Sequence, residues 1–198
     1  MTLRQTILKK IYPLFMWASK KFQKRNSILN GKATPQQSFY GLHNKLNNGE
    51  AFNFDDLRGK KVLLVNTASD CGYTHQYKDL QQLADQYTNE LVVLAFPSND
   101  FKDQEKGTDK DIANFCEKNY GIRFPLMQKS SVRKSPSQNK IFQWLTHKEQ
   151  NGWNDKPPSW NFTKYLVNEK GELTHYFGPA ISPLDPDVIS IIKNQNHV

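Results

Sequence analysis

Two apolar runs and the segment between them form the clearest pattern in the chain. Residues 61–67 and 91–96 are almost continuously apolar, which is typical of strands that are buried on both faces. Between them, in residues 74–89, apolar side chains recur every three or four positions, which predicts a helix. A helix that connects two buried strands predicts a βαβ unit, so we expect the centre of the sheet to be parallel.

Shorter elements are predicted on both sides of this unit. The turn Asn47-Asn48-Gly49 predicts a hairpin between strands at 38–42 and 51–54. Downstream, the pattern predicts a helix at 108–119, a short strand at 124–127, a helix from 135 to 145, a β-hairpin at 162–177 and a last helix at 185–194. This order predicts the α/β class, specifically a thioredoxin-like fold. Its central mixed sheet would be flanked by helices, with an N-terminal β-hairpin and an insertion between the halves.

The charge of the chain is concentrated at its N-terminus. The 198 residues carry a net charge of +8, from 27 Lys and Arg and 19 Asp and Glu. Residues 1–35 contain eight of the basic residues and no acidic one, which leaves 19 basic and 19 acidic residues in 36–198. We therefore predict two parts, a basic N-terminal extension at 1–35 and a folded, formally neutral domain at 36–198.

The extension has an amphipathic pattern. Six apolar residues at helical spacing form one stripe: Leu3, Ile7, Ile11, Leu14, Ala18 and Phe22. Three interpretations stay open: a basic helix in which residues 1–25 lie on an anionic membrane surface, a weak export or anchor signal, or a leader without a partner. Pro13 argues against one unbroken helix.

Composition excludes several classes for the domain. A groove that follows nucleic-acid phosphates needs excess positive charge, and residues 36–198 have none, so nucleic-acid binding is not expected. No apolar run approaches 18 residues, so we predict no transmembrane helix. We expect no cofactor and no bound metal. The expected compartment is the cytoplasm, with membrane association or export to the periplasm as alternatives.

The two cysteines occupy different positions in the predicted elements. Cys71 lies between the strand at 61–67 and the following helix, where free backbone N–H groups favour a thiolate, although a small core residue is the alternative. His75 could add positive charge there. Thr74 stands where a Cys-x-x-Cys pair would have its second cysteine. Cys116 lies on the apolar face of the helix at 108–119, where a core thiol is the simplest interpretation.

Four segments together resemble one protein family. They are V-N-T-A-S-D-C-G-Y-T at 65–74, A-F-P-S-N-D-F-x-x-Q-E-x-G at 95–107, F-C-E-K-N-Y-G-I-R-F-P at 115–125 and W-N-F-T-K-Y-L-V at 160–167. In this order and spacing they resemble the glutathione peroxidase family, in its cysteine form. The resemblance extends from about residue 38 to 193 and leaves out the basic extension.

The resemblance implies a role for five residues. Cys71 would be the peroxidatic nucleophile, and Gln104, Trp160 and Asn161 would complete a catalytic tetrad. Cys116 would resolve the oxidised enzyme. From the residues alone, Gln104 is an ordinary solvated loop residue and Trp160 an ordinary packing residue. The departures from the family pattern are His75, Ser98, Asp100 and Lys106.

The resemblance also implies an activity and its partners. The protein would reduce hydrogen peroxide and organic or lipid hydroperoxides, in response to oxidative stress, and would be recycled by thioredoxin or glutathione. The subgroup with this second cysteine generally uses thioredoxin. The short 145–160 connection favours a monomer. The alternative is a redox-sensing protein that relays its disulfide to a partner.

Overall fold

The computed structural model describes residues 27–194, so the amphipathic stripe at 3–22 lies outside the described residues. The strands of this part are β1 (Ile28–Asn30), β2 (His43–Lys45), β3 (Ala51–Asn53), β4 (Lys61–Thr67), β5 (Leu91–Pro97), β6 (Lys164–Val167) and β7 (Leu173–Phe177). Its α-helices are α1 (Gln76–Gln86), α2 (Asp109–Tyr120), α3 (Lys140–Thr146), α4 (Lys148–Asn151) and α5 (Pro186–Lys193). Short 3-10 helices lie at Phe39–Gly41 and Phe54–Leu57.

A mixed five-stranded sheet is the centre of the fold. Its strand order is β1-β7-β6-β4-β5. Strands β4 and β5 are parallel and pair from Lys61 with Leu91 to Thr67 with Pro97, while β6 runs antiparallel to β4. The predicted βαβ centre and mixed sheet are therefore confirmed. Because β4 and β5 end at the same edge, the loops that follow them leave the sheet side by side.

Both faces of the sheet are covered, as the continuous apolar runs predict. Val62 and Leu64 of β4 belong to a cluster with Phe39 and Trp144 on one face. Leu63 and Val65 belong to a second cluster on the other face, which includes residues of α1, α2 and α5. This alternation follows from the two-residue period of a strand, and it leaves β4 completely buried.

Three predicted elements differ in the structure. Residues 39–41 form a 3-10 helix instead of a strand, and the hairpin is made by β2 and β3. The two consecutive buried rings of Phe39 and Tyr40 explain the difference, because a strand would place them on opposite faces. The predicted strand at 124–127 makes only isolated bridges, such as Ala95 with Leu126. The helix predicted from residue 135 begins at Lys140, where the Asn139 side chain accepts the Ile141 N–H.

The N-terminal edge of the described chain joins the sheet. Strand β1 pairs antiparallel with β7, with Ile28 opposite Phe177. Residues 28–30 therefore pack with the domain, although the sequence pattern assigns them to the extension at 1–35. A three-residue strand at the edge of a sheet has too little periodicity to be seen in the sequence. Within residues 27–194, no helix is both long and apolar enough to cross a membrane.

Candidate active site

Cys71 lies in a tight turn between β4 and α1. The Thr74 hydroxyl accepts the Cys71 N–H (3.0 Å) and donates to the Ala68 carbonyl (2.9 Å), while the Thr74 N–H donates to the Cys71 carbonyl (3.0 Å). The N–H of Tyr73 points at the Cys71 sulfur, 3.5 Å away. The partly buried thiol is thus held by backbone at the end of a parallel strand, with an N–H donor on its sulfur. This environment suits a thiolate.

Two of the predicted site residues meet directly. The Asn161 side-chain amide donates to the Gln104 side-chain carbonyl, 3.0 Å away. Gln104 is also tied to the Cys71 turn, because its backbone carbonyl accepts the Asp70 N–H (3.0 Å). Asn161 is fully buried, and its Oδ1 makes no hydrogen bond to another described residue. The structure therefore brings Gln104 and Asn161 together beside the turn that carries Cys71.

The backbone is strained on both sides of this pair. Within residues 27–194, the non-glycine residues with positive φ are Lys102 (53°), Asp103 (52°) and Phe162 (64°). Lys102 and Asp103 precede Gln104, and Phe162 follows Asn161. Such conformations cost about 1–3 kcal/mol each and persist where surrounding contacts enforce them. The conformation of Phe162 is held by the hydrogen bond from its N–H to the Asn66 carbonyl (2.6 Å). Its ring also packs against the Tyr77 ring, with 5.3 Å between the ring centroids.

Trp160 lies at the rim of the same region. Its ring packs on Phe101 (5.4 Å between centroids), and the Lys102 ammonium lies 5.8 Å from its centroid. The Trp160 carbonyl accepts from Asn66 Nδ2 (3.1 Å) and from the Thr163 hydroxyl (2.9 Å). The structure thus places Trp160 between the loop that carries Gln104 and the strand entry that carries Asn161.

Asn66 is a positioning residue that the sequence analysis missed. It is fully buried in β4, and it forms hydrogen bonds with Trp160, Phe162 and Thr163. Besides its bonds to Trp160 and Phe162, its Oδ1 accepts the Thr163 N–H (3.1 Å). The sequence signal for this role was an asparagine within the apolar run at 61–67. A buried amide side chain needs hydrogen-bond partners, so an asparagine there indicates contacts with a neighbouring segment.

Cys116 has the opposite environment to Cys71. It is 0% exposed on α2, and burial raises the pKa of its thiol from 9.0 to about 11. The negative charge of Glu105 acts in the same direction, while the neighbouring Tyr77 opposes the shift. Both ends of α2 are well formed, with a Thr108–Asp111 capping box and Gly121 in the left-handed conformation. Cys71 packs against the same apolar cluster that contains Cys116, and both thiols are free.

Lys164 is a buried lysine that the sequence analysis also missed. It is 0% exposed, and its ammonium donates to Gln76 Oε1 (2.7 Å) and to the carbonyls of Pro179 and Ile181. Burial lowers its pKa from 10.5 to about 7, although Asp79 opposes the shift. Lys164 thereby links β6, three residues after Asn161, to the first residue of α1. His75, by contrast, is exposed, and its ring forms a hydrogen bond with the Gly72 carbonyl (3.0 Å).

Two of the departures from the family pattern are structural in this chain. Asp100 accepts from the N–H groups of Val132 (2.6 Å) and Arg133 (2.9 Å) and from the Ser131 hydroxyl (3.1 Å). The buried Ser98 hydroxyl accepts the Asp100 N–H (3.3 Å). These bonds anchor the loop after β5, which carries Gln104. Lys106 is exposed.

A thioredoxin-like sheet with a thiol at the end of a central parallel strand defines a class, the thiol oxidoreductases of this fold. Comparison with known proteins places the chain within that class. The glutathione peroxidase family model matches residues 39–146. A glutathione peroxidase-like peroxiredoxin of Saccharomyces cerevisiae is 40% identical over 159 residues, which cover 79% of this chain and 98% of the relative. A glutathione peroxidase homolog of Bacillus subtilis is 36% identical over 159 residues, 79% of this chain and 99% of the relative. The chain belongs to the glutathione peroxidase family.

Solved structures agree with this assignment. The apo crystal structure of Trgpx has a TM-score of 0.60 and 29% identity, with 80% of this chain and 97% of that chain covered. A thiol:disulfide interchange protein of Chlorobium tepidum, at 18% identity and a TM-score of 0.58, shares the fold. Its match covers 83% of this chain and 99% of that chain. The predicted thioredoxin-like fold is therefore confirmed, and so is the predicted peroxidase, an oxidoreductase that reduces peroxide with a thiol reductant. The roles of individual residues stay predictions.

Proposed function

We propose that Cys71 is the peroxidatic residue and that Gln104, Trp160 and Asn161 assist it. The Cys71 thiolate attacks one peroxide oxygen, the O–O bond breaks, and a sulfenic acid forms as water or an alcohol leaves. The side chains of Gln104, Trp160 and Asn161 are neutral N–H donors, suited to the charge on the attacking sulfur and the leaving oxygen. The hydrogen bond between Asn161 and Gln104 beside the Cys71 turn carries this proposal, because it joins segments 57 residues apart.

The second step of the proposal uses Cys116. Its thiol displaces hydroxide from the Cys71 sulfenic acid, so that a disulfide and water form without any further oxidant. Because Cys116 is fully buried, α2 must open locally for the two sulfurs to meet. An external dithiol such as thioredoxin then reduces the disulfide. We favour it over glutathione because the oxidised enzyme carries an intramolecular disulfide, which a dithiol reduces in one encounter.

The test is peroxide turnover by the reduced wild type, Cys71→Ser and Cys116→Ser, with thioredoxin and glutathione compared side by side. We expect Cys71→Ser to lose the reaction with peroxide completely. Cys116→Ser should consume one equivalent of peroxide and then stop with thioredoxin. Full activity of Cys71→Ser would disprove the assignment, and equal turnover of Cys116→Ser with thioredoxin would disprove the resolving role.

A second candidate function is a redox sensor that passes oxidation to a partner protein. The burial of Cys116 favours it, because slow resolution leaves the Cys71 sulfenic acid available to a partner thiol. The same experiment separates the two functions. Steady turnover with thioredoxin supports the peroxidase, whereas stable mixed disulfides with little turnover support the sensor.

The remaining proposals concern the domain organisation and the N-terminal extension. We propose a monomeric domain at about 36–198, preceded by a basic extension at 1–35 whose residues 28–30 form the edge strand β1. The eight basic residues of 1–35 support contact of residues 1–25 with an anionic membrane surface, where lipid hydroperoxides form. Salt-sensitive binding of the full chain to anionic vesicles would measure this contact. Its absence would leave a cytoplasmic or exported enzyme with a leader of another kind.

A further inference from the structure

Glu105 is a buried carboxylate that the reaction above does not use. Its side chain is 1% exposed, although it lies in a polar loop next to Gln104. Its Oε2 accepts the Ser69 hydroxyl (2.9 Å), and its backbone N–H donates to Asn99 Oδ1 (2.9 Å). No salt bridge is formed by Glu105 with the described residues, and burial raises its pKa above the ordinary value, which Ser69 and Lys129 only partly oppose. Burying a carboxylate without an ion pair is costly, so its retention needs a reason.

Glu105 lies near the two elements that carry the cysteines. Its partner Ser69 lies two residues before Cys71. A cleft of about 330 Å³ is lined by Ser69 and Glu105 together with Ile112 and Phe115 of α2. Ile112 is one helical turn before Cys116, and Phe115 directly precedes it. The negative charge of Glu105 also contributes to raising the pKa of the Cys116 thiol, after the larger effect of burial.

The loop that carries Glu105 lies close against α2. A Cβ atom on Gly107 would lie 3.1 Å from Asp111 Cβ and 3.6 Å from an Ile112 side-chain atom. The absence of a side chain at residue 107 therefore permits this close approach. The buried carboxylate is thus bonded to Ser69 near the turn of Cys71, and it lines the same cleft as Ile112 and Phe115 of α2.

Resolution of the oxidised enzyme requires a proton transfer in this region. Cys116 must lose its proton as it attacks, and a thiol with a pKa of about 11 is almost entirely protonated at neutral pH. The oxygen that leaves Cys71 departs as hydroxide unless a proton reaches it. One group that accepts the first proton and supplies the second would assist both halves of the step.

We propose that Glu105 is the proton carrier of the resolving step. Its carboxylate takes the proton of the Cys116 thiol as the sulfur–sulfur bond to Cys71 forms. The sulfur–oxygen bond of the sulfenic acid breaks with its electron pair on oxygen, and Glu105 returns the proton to this oxygen. A sulfenic acid and a thiol thus become a disulfide and water, with no external oxidant or reductant. This inference rests on the proposed function, because it requires a Cys71 sulfenic acid and attack by Cys116.

The pH dependence of the step is a signature of this role. Glu105 accepts a proton only when ionised, so the resolving rate should fall as pH falls through its raised pKa. Without Glu105, the rate should follow the thiolate of Cys116 and rise about tenfold per pH unit toward 11. The other titratable or charged groups around Glu105 are Asp70 from the turn, Tyr77 from α1, Asp103 and Lys106 from its own loop, Asp111 and Cys116 from α2, and Lys129 after α2.

The test separates the two chemical steps in a single turnover. Reduced wild type, Glu105→Gln, Glu105→Asp and Glu117→Gln are mixed with one equivalent of hydrogen peroxide, and samples are quenched with a thiol-alkylating reagent. Peroxide loss reports the first step, and the Cys71–Cys116 disulfide, measured by peptide mass spectrometry, reports the second. Glu117→Gln is the matched control, because it removes the same charge from an exposed position directly after Cys116.

We expect Glu105→Gln to slow disulfide formation on the order of 10²-fold while peroxide loss changes less than about threefold. Glu117→Gln should change neither step. Equal slowing of both steps would show a structural role, and an unchanged disulfide rate would show no role; either result overturns the inference. If Glu105→Gln does not fold, the pH profiles of the wild type and Glu105→Asp decide. A wild-type resolving rate that does not fall with falling pH rejects the proposal. Failure of the wild type to consume peroxide would instead reject the proposed function.

Discussion

The two cysteines of this chain are the same side chain in opposite environments. Cys71 is partly exposed in a turn, and its sulfur receives the Tyr73 N–H. Cys116 is 0% exposed in the middle of α2, and its thiol pKa is raised to about 11. Yet both pack against one apolar cluster between the sheet and its helices. The two thiols therefore differ in their backbone contacts and their burial, and not in the apolar cluster that they join.

The difference has a consequence for the order of events. A thiol in a rigid turn with a backbone donor is ready to react, whereas a thiol inside a capped helix must first be released. The fold thus separates a partly exposed thiol from a buried one. In the proposed reaction, burial would keep the second thiol reduced until the first has been oxidised.

The largest expected effect tests the protection of Cys116 directly. In the reduced, folded protein at pH 7, we expect alkylation of Cys116 to be on the order of 10³-fold slower than in the urea-unfolded chain. A pKa raised from 9.0 to about 11 alone lowers the thiolate about a hundredfold, and closure of the core adds to this. Peptide mass spectrometry after timed alkylation measures both sites, with Cys71 as the internal reference. If Cys116 were alkylated at comparable rates in the folded and the unfolded protein, the proposed protection of this thiol would be disproved.

A smaller effect is expected at the donors beside Cys71. Asn161→Ala and Gln104→Ala should each lower the rate of the first reaction with peroxide on the order of 10²-fold. The double variant should be less severe than the product of the two effects, because the residues bond each other at 3.0 Å. Stopped-flow measurement of peroxide loss gives these rates. The exposed Asn89→Ala, at the opposite end of β5, is the control, and equal losses there would refute a specific role.

The smallest effect concerns the release of α2. After this helix ends, Arg123 donates to both carboxylate oxygens of Asp85 on α1 (2.7 and 2.8 Å). The two side chains are 70% and 50% exposed, so the pair is worth about 0–1 kcal/mol. We expect Arg123→Ala to lower stability by no more than this and to speed disulfide formation a few-fold, by loosening the C-terminal end of α2. Arg58→Ala, which breaks the exposed pair with Asp55, should leave the disulfide rate unchanged.

The regular elements of the fold could be predicted because their signals are local. The apolar run at 61–67 corresponds to β4 at both ends, and the helix predicted at 108–119 corresponds to α2 within one residue. The errors fall where local signal is weak. Residues 124–127 have strand-like composition but reach the sheet only through isolated bridges, and β1 is defined solely by its pairing with β7.

The candidate site could be predicted only as a set of residues. The four motifs point to Cys71, Gln104, Trp160, Asn161 and Cys116, whereas the resemblance assigns no role to the residues that support them, even where these lie inside the motif segments. Asn66 is one such residue, since its hydrogen bonds to the 160–163 segment depend on β4 lying beside β6. Lys164 is another, since a lysine at the start of a strand is ordinarily exposed.

By itself, the sequence determined which segments are buried, where the parallel centre of the sheet lies and which family the chain resembles. Apolar periodicity records burial residue by residue, and motif spacing survives in the linear chain. Only the tertiary structure decided that Asn161 meets Gln104, that Glu105 is buried between two cysteine-bearing elements and that Cys116 is closed off. These properties arise where loops far apart in sequence converge at one edge of the sheet, and no local pattern encodes that convergence.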